Sequence, residues 1–93
     1  MKKNRFIFIA YDIKDDRVRQ KVSRMLLYYG LIRVQYSLFR GYVSSRDRAV
    51  LEEGIRALVH EEDKVHIIEV CEECKKIIGT IGEVPEVIPH LIL

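Results

Sequence analysis

No apolar run in this chain approaches the ~20 residues that a membrane-spanning helix requires. The start, MKKNR followed by FIFIAY, imitates a secretory leader. Its six apolar residues fall short of the roughly 7 to 15 of a leader's apolar region, and Asp12 then interrupts them. The expectation is a soluble, cytoplasmic protein with no membrane contact. Cysteine is equally scarce: Cys71 and Cys74 form the only CxxC. A closed structural zinc site takes four ligands, and this chain offers two thiols with His66 as a poorly spaced third. Reduced thiols at the end of a strand, a disulfide, and an interchain zinc site built from two copies all stay open. The two prolines, Pro85 and Pro89, both lie in the tail. No Gly-rich or polar ligand loop separates the elements, which argues against a small-molecule sensor.

What is present is charge, unevenly spread. The 93 residues carry a net charge of only +2. Residues 1–48 hold 12 Lys/Arg and 4 Asp/Glu, which is 12 − 4 = +8, while residues 49–93 hold 4 and 10, which is 4 − 10 = −6. A clustered basic half is one sign of a nucleic-acid surface; two solvated faces of opposite sign are the bland alternative. At 48% hydrophobic content the chain makes one domain, 1–93, with one core and no room for a deep pocket. Chemistry on such a domain belongs on its surface or at a subunit interface.

The spacing of apolar residues predicts an α+β order. Residues 5–12 alternate little, as in a strand buried on both faces at the centre of a sheet. Asp12 to Asp16 supply helix-start chemistry. Val18, Val22, Met25, Leu26 and Tyr29 then form one face of a helix over 15–29 that ends at Gly30. Residues 31–44 read as two short antiparallel strands with a break near Gln35 to Ser37. Ser44 or Ser45 caps a helix over 46–61 with Leu51, Ile55, Leu58 and Val59 on its apolar face, and 64–70 form another strand. The sum is βαββαβ, a ferredoxin-like sandwich with both helices on one face of an antiparallel sheet. Phe6, Ile7, Phe8 and Ile9 cannot all point at those helices, so a partner covers the other face. The core is expected over about 5–72. The apolar segment 77–93, barred from a central position by its prolines, is expected as an edge strand or tail at a two-fold dimer interface.

Asp12 is the acid that this order singles out. At the end of the first strand, a two-fold dimer could bring it beside its own copy. Paired carboxylates either share a proton or bind a hard cation, and magnesium takes one or two carboxylates with waters and phosphate filling its other positions. The bland alternative is that Asp12, Asp15 and Asp16 only cap a helix.

The stretch YDIKDDRVRQKVSRMLLYYG followed by RVQYSLFRG resembles the signature of the small CRISPR-associated endonucleases of spacer acquisition, the Cas-two family, over roughly residues 5–42. The resemblance implies a ferredoxin-like homodimer in antiviral defence, with one magnesium ion shared between two Asp12 side chains. It also implies metal-dependent cleavage of RNA or double-stranded DNA, and a place at the centre of the integration complex beside the integrase partner. Tyr11, Arg19, Lys21, Arg33, Ser37 and Phe39 fall on family positions that support cleavage or substrate binding, and Arg17, Arg24 and Arg40 join the basic surface. Two positions depart from the pattern. Val18 replaces an often basic residue and Arg40 stands where an acid is common, which bears on the choice of RNA or DNA but not on Asp12.

Some of these residues also have local rationales. Arg19 sits at the margin of the apolar helical stripe and can reach the end of the first strand. Arg33, in a strand, needs an acid or a phosphate. Phe39 packs in the core or stacks on a base, and Ser37 serves the turn. Besides the nuclease, a DNA-holding scaffold dimer without cleavage and a toxin-like ribonuclease remain open; the fold alone would not choose between them.

Overall fold

Nine residues, Asn4–Asp12, form the first strand (β1) of the computed structural model, which describes residues 4–82. There follow α1 (Asp16–Tyr28), β2 (Ile32–Gln35), β3 (Leu38–Ser44), α2 (Ser45–Leu58), β4 (Lys64–Val70) and a single helical turn, α3 (Glu72–Lys75). The sheet order is β2-β3-β1-β4 with every neighbouring pair antiparallel. This is the ferredoxin-like arrangement that the sequence predicts, with β1 in the interior of the sheet.

Alternation along β1 decides which side chains enter the core. Ile7, Ile9 and Tyr11 face the helices and pack with Phe39 and Val43 of β3, Val22 and Leu26 of α1, and Leu51 and Ile55 of α2. Burying each large aliphatic side chain contributes about 1.5–3 kcal/mol. Phe6, Phe8, Ala10 and Asp12 point the other way. Their register partners there are Tyr42, Arg40 and Leu38 on β3, and Val70, Ile68, His66 and Lys64 on β4. Among the described residues no long helix covers this second face, where Ile68 and Tyr42 are exposed. The turn α3 reaches it: the Lys75 ammonium lies 4.3 Å from the Tyr42 ring centre and 5.1 Å from that of Phe6.

The helix ends follow local chemistry. Asp15, the second acid of the expected acidic start, is the cap of α1 and accepts the N–H groups of Arg17 and Val18. Gly30, at φ +90°, ends the helix. Its N–H donates to the Leu27 carbonyl and that of Leu31 to the Leu26 carbonyl. Of the two candidate caps for α2, Ser44 serves, accepting from Asp47 N–H at 3.0 Å.

Two expectations need correction. The second helix stops at Leu58 rather than 61, because Val59 is extended and the Asp63 carboxylate captures the N–H of His60 at 2.8 Å and of Lys14 at 3.2 Å. The turn α3 was not foreseen after β4. The break between the two middle strands falls where expected: the register shifts between Arg33 and Gln35, and the turn lies at Tyr36 and Ser37. Of the C-terminal segment 77–93, residues 77–82 hold no strand. The expected edge strand with Pro85 and Pro89 lies outside the described residues. Among the described residues no helix is long and apolar enough to cross a membrane.

Candidate nucleic-acid interface and the Asp12 edge

Three acids stand where β1 passes into α1, and two of them are already engaged. Asp15 caps the helix, and the Val18 and Arg17 N–H groups hold its carboxyl below the usual carboxylate range. Asp16 pairs with Arg19. Asp12 is exposed at the end of β1, opposite Lys64 in register, and makes no hydrogen bond or ion pair among the described residues. Capping therefore accounts for Asp15 and not for Asp12. Among the described residues no three His, Cys, Asp or Glu side chains gather in one place. Among the described residues a single chain thus brings one free carboxylate to this edge, which suits a hard cation only when a second copy or a phosphate completes the shell.

Behind Asp12, on the helix-facing side of the sheet, most of the other expected residues converge. The Tyr11 ring stacks on Phe39 at 6.2 Å with 27° between planes. Tyr11 donates twice to the turn between β2 and β3, from its N–H to the Ser37 carbonyl at 3.0 Å and from its hydroxyl to the Tyr36 carbonyl at 3.4 Å. Burial pushes the Tyr11 hydroxyl above its ordinary pKa of 10.0, against the opposing charge and hydrogen bond of Arg33, so it remains a donor near neutrality. Arg33 donates from Nη1 to the same Tyr36 carbonyl at 2.5 Å, with its guanidinium 4.9 Å from the Phe39 ring centre. Arg19 donates from Nη1 to the Ile13 carbonyl at 2.9 Å and stands 5.6 Å from the Tyr36 ring centre. As expected, Arg19 reaches the end of β1.

Three expectations take a sharper form. Arg33 finds its partners within the chain in a carbonyl and an aromatic face. Phe39, fully buried, serves by packing and does not offer its ring to a base. Ser37 acts through its backbone carbonyl. The residue that sequence reasoning missed is Tyr36, 69% exposed, with the Arg19 and Arg33 guanidiniums both within 6 Å of its ring. An aromatic residue in a turn, three positions after an arginine, was the available signal.

The remaining basic residues lie elsewhere. Arg17, Lys21 and Arg24, spaced i, i+4 and i+7, share the outer face of α1, exposed and without ion pairs among the described residues. Arg40 is on the helix-free face, opposite Phe8. Asp12 shares that face with Arg40 but not with the Tyr11, Arg33 and Phe39 cluster.

Comparison with known proteins agrees with this geometry. A family model described as CRISPR associated protein Cas2 matches residues 5–78. A curated relative from Archaeoglobus fulgidus, named CRISPR-associated endoribonuclease Cas2 1, is 40% identical over 67 residues, covering 71% of each chain. A solved structure of a hypothetical protein from Thermus thermophilus superposes with TM-score 0.77 at 32% identity, over 90% of this chain and 98% of that one. A chain of a partial Cas6-RT-Cas1-Cas2 complex does so with TM-score 0.70 at 27% identity, over 91% and 98%.

Proposed function

The chain belongs to the CRISPR associated protein Cas2 family, and from that premise we propose that it is a magnesium-dependent endonuclease of spacer acquisition that works as a two-fold dimer. The observation that carries this reading is the free carboxylate of Asp12 at the rim of an exposed apolar sheet face. A second copy packed on that face would bury Phe8 and Ile68 and bring a second Asp12 to the same edge. Two such carboxylates would hold a divalent ion, with waters and a substrate phosphate in its other positions. When bound, the ion supplies stabilisation of the charge that builds on the phosphate oxygens.

The chain's own residues do the rest. Arg17, Lys21 and Arg24 engage phosphates along the outer face of α1, and Arg40 adds a cation on the side of Asp12. Tyr11, Arg33 and Phe39 hold the β2–β3 turn against the end of β1, which fixes the direction in which Asp12 leaves the strand. The endoribonuclease name of the curated relative supports RNA as substrate; double-stranded DNA is the second substrate class.

A scaffold reading competes with the nuclease. One carboxylate per chain is a sparse donor set, and one structural neighbour comes from a complex that includes Cas1. In this reading the same dimer holds DNA between copies of an integrase partner and does not cut. Cleavage of matched RNA and duplex DNA by wild type and Asp12→Asn, with magnesium or with EDTA, separates the two. The nuclease reading expects metal-dependent cleavage that the substitution abolishes. Equal cleavage by both proteins, or none while DNA still binds, favours the scaffold.

A further inference from the structure

Beyond the Asp12 edge, the end of β4 carries a dithiol with the geometry of an exchange centre. Cys71 caps α3, and its Sγ accepts the Cys74 N–H at 3.2 Å. The Cys74 Sγ lies 2.7 Å from the Cys71 Sγ. Both residues are exposed. The two are not equivalent. Cys71 lines an open hollow of about 400 Å³ beside Arg5, Phe6 and Val70, and Cys74 does not. The Cys74 N–H donates to the Cys71 Sγ, and the contact between the two side chains pushes the Cys71 pKa down while it raises that of Cys74. Among the described residues these thiols have no third ligand near them and do not make a closed metal site.

We propose that Cys71 and Cys74 form a thiol–disulfide exchange site, with Cys71 as the attacking sulfur, that a low-molecular-weight disulfide oxidises to an intramolecular bond. The Cys71 thiolate attacks one sulfur of the small disulfide, forming a mixed disulfide and releasing one small thiolate. Cys74 then gives its proton to solvent, and its thiolate attacks the Cys71 Sγ and releases the second small thiolate. Two electrons pass from the protein sulfurs to the small disulfide, and the protein loses two hydrogens.

The bond has a structural consequence. Lys75, next in the chain to Cys74, lies over Tyr42 and Phe6 on the sheet face away from α1 and α2. In the reduced chain α3 is one turn held by local hydrogen bonds such as Lys75 N–H to the Cys71 carbonyl at 3.0 Å. The disulfide closes that turn covalently and keeps Lys75 at the margin of the apolar face, so the redox state sets how firmly this corner is covered. The inference is independent of whether the protein cleaves nucleic acid.

The test uses the full chain in buffers of graded reduced-to-oxidised glutathione ratio, quenched in acid, alkylated and read by intact mass. Wild type is expected to give a single-chain species lighter by two hydrogens with little mixed disulfide. Cys74→Ser should stop at a glutathione adduct on Cys71, and Cys71→Ser should form its adduct roughly tenfold more slowly. Mixed or interchain disulfides alone in wild type, equal adduct rates in the two variants, or thiols held by co-purified zinc against oxidation would each overturn the proposal.

Discussion

The Arg33 guanidinium lies 4.9 Å from the centre of the Phe39 ring and donates to the Tyr36 carbonyl, so one side chain joins the buried floor of the sheet to the β2–β3 turn. Phe39 itself has no exposed surface. Phe39→Ala should therefore lower the unfolding free energy by about 3–5 kcal/mol, and Phe39→Leu by clearly less. Urea unfolding followed by far-UV circular dichroism checks this. If Phe39→Ala kept the wild-type midpoint while losing substrate affinity, the ring would be a contact surface and not a floor.

Arg17, Lys21 and Arg24 stand exposed on the outer face of α1 with no acid to share among the described residues. If all three meet phosphates, replacing them with glutamine should weaken duplex binding and flatten the slope of log K against log salt by about 0.9 per lost contact. Fluorescence anisotropy on one duplex across a salt series measures it. An unchanged slope would remove α1 from the interface. Arg19, already bound to Asp16 and the Ile13 carbonyl, should contribute less to that slope than any of the three.

The pH dependence of stability should carry the signature of Asp15. Two backbone N–H groups bond its ionised carboxylate and depress its pKa in the folded chain below the ordinary value of 3.8. A group with a depressed folded value stabilises fully above its unfolded pKa and loses that contribution as pH falls through the folded one. Asp15→Asn keeps a capping acceptor but not the charge. The Tm difference between wild type and Asp15→Asn should thus be largest above about pH 4 and shrink on acidification. A constant difference across that range would mean that the charge plays no part in the cap.

Much of this architecture was legible because two local patterns do most of the sorting. The stripe Val18, Val22, Met25, Leu26 and the unbroken apolar run Phe6 to Ile9 are local properties of the chain, and helix and central strand follow from them, whereas which of Phe6, Ile7, Phe8 and Ile9 face the helices was visible only in the fold. The end of α2 was not legible, because it depends on Asp63 reaching back to His60 and across to Lys14, a contact that no local pattern encodes. The same holds at the site. Asp12 could be singled out by its place at a strand end, but which of three neighbouring acids caps the helix was visible only in the hydrogen bonds of Asp15. Tyr36 escaped notice because its significance comes from two arginines, Arg19 and Arg33, that sit on different elements and meet only after folding.

Two glycines test how closely helices and sheet approach. A Cβ at Gly54, within α2, would lie 2.9 Å from the Met25 Sδ and 3.0 Å from its Cε. That neighbour is the far end of a flexible thioether able to change rotamer, and an alanine in a helix interior gains up to about 1 kcal/mol over glycine. At Gly41, in β3, the added carbon would lie 3.0 Å from the Leu31 Cα and 3.3 Å from the Gly30 carbonyl oxygen. Both are backbone atoms beside the turn that ends α1, and they have no rotamer to change. Gly54→Ala should therefore be neutral or stabilising, while Gly41→Ala should destabilise by about 1–3 kcal/mol. Urea midpoints of the two variants decide it. A Gly41→Ala variant as stable as wild type would mean that the end of α1 can shift away from β3, and the packing of that helix against the sheet would then be looser than the 3.0 Å approach implies.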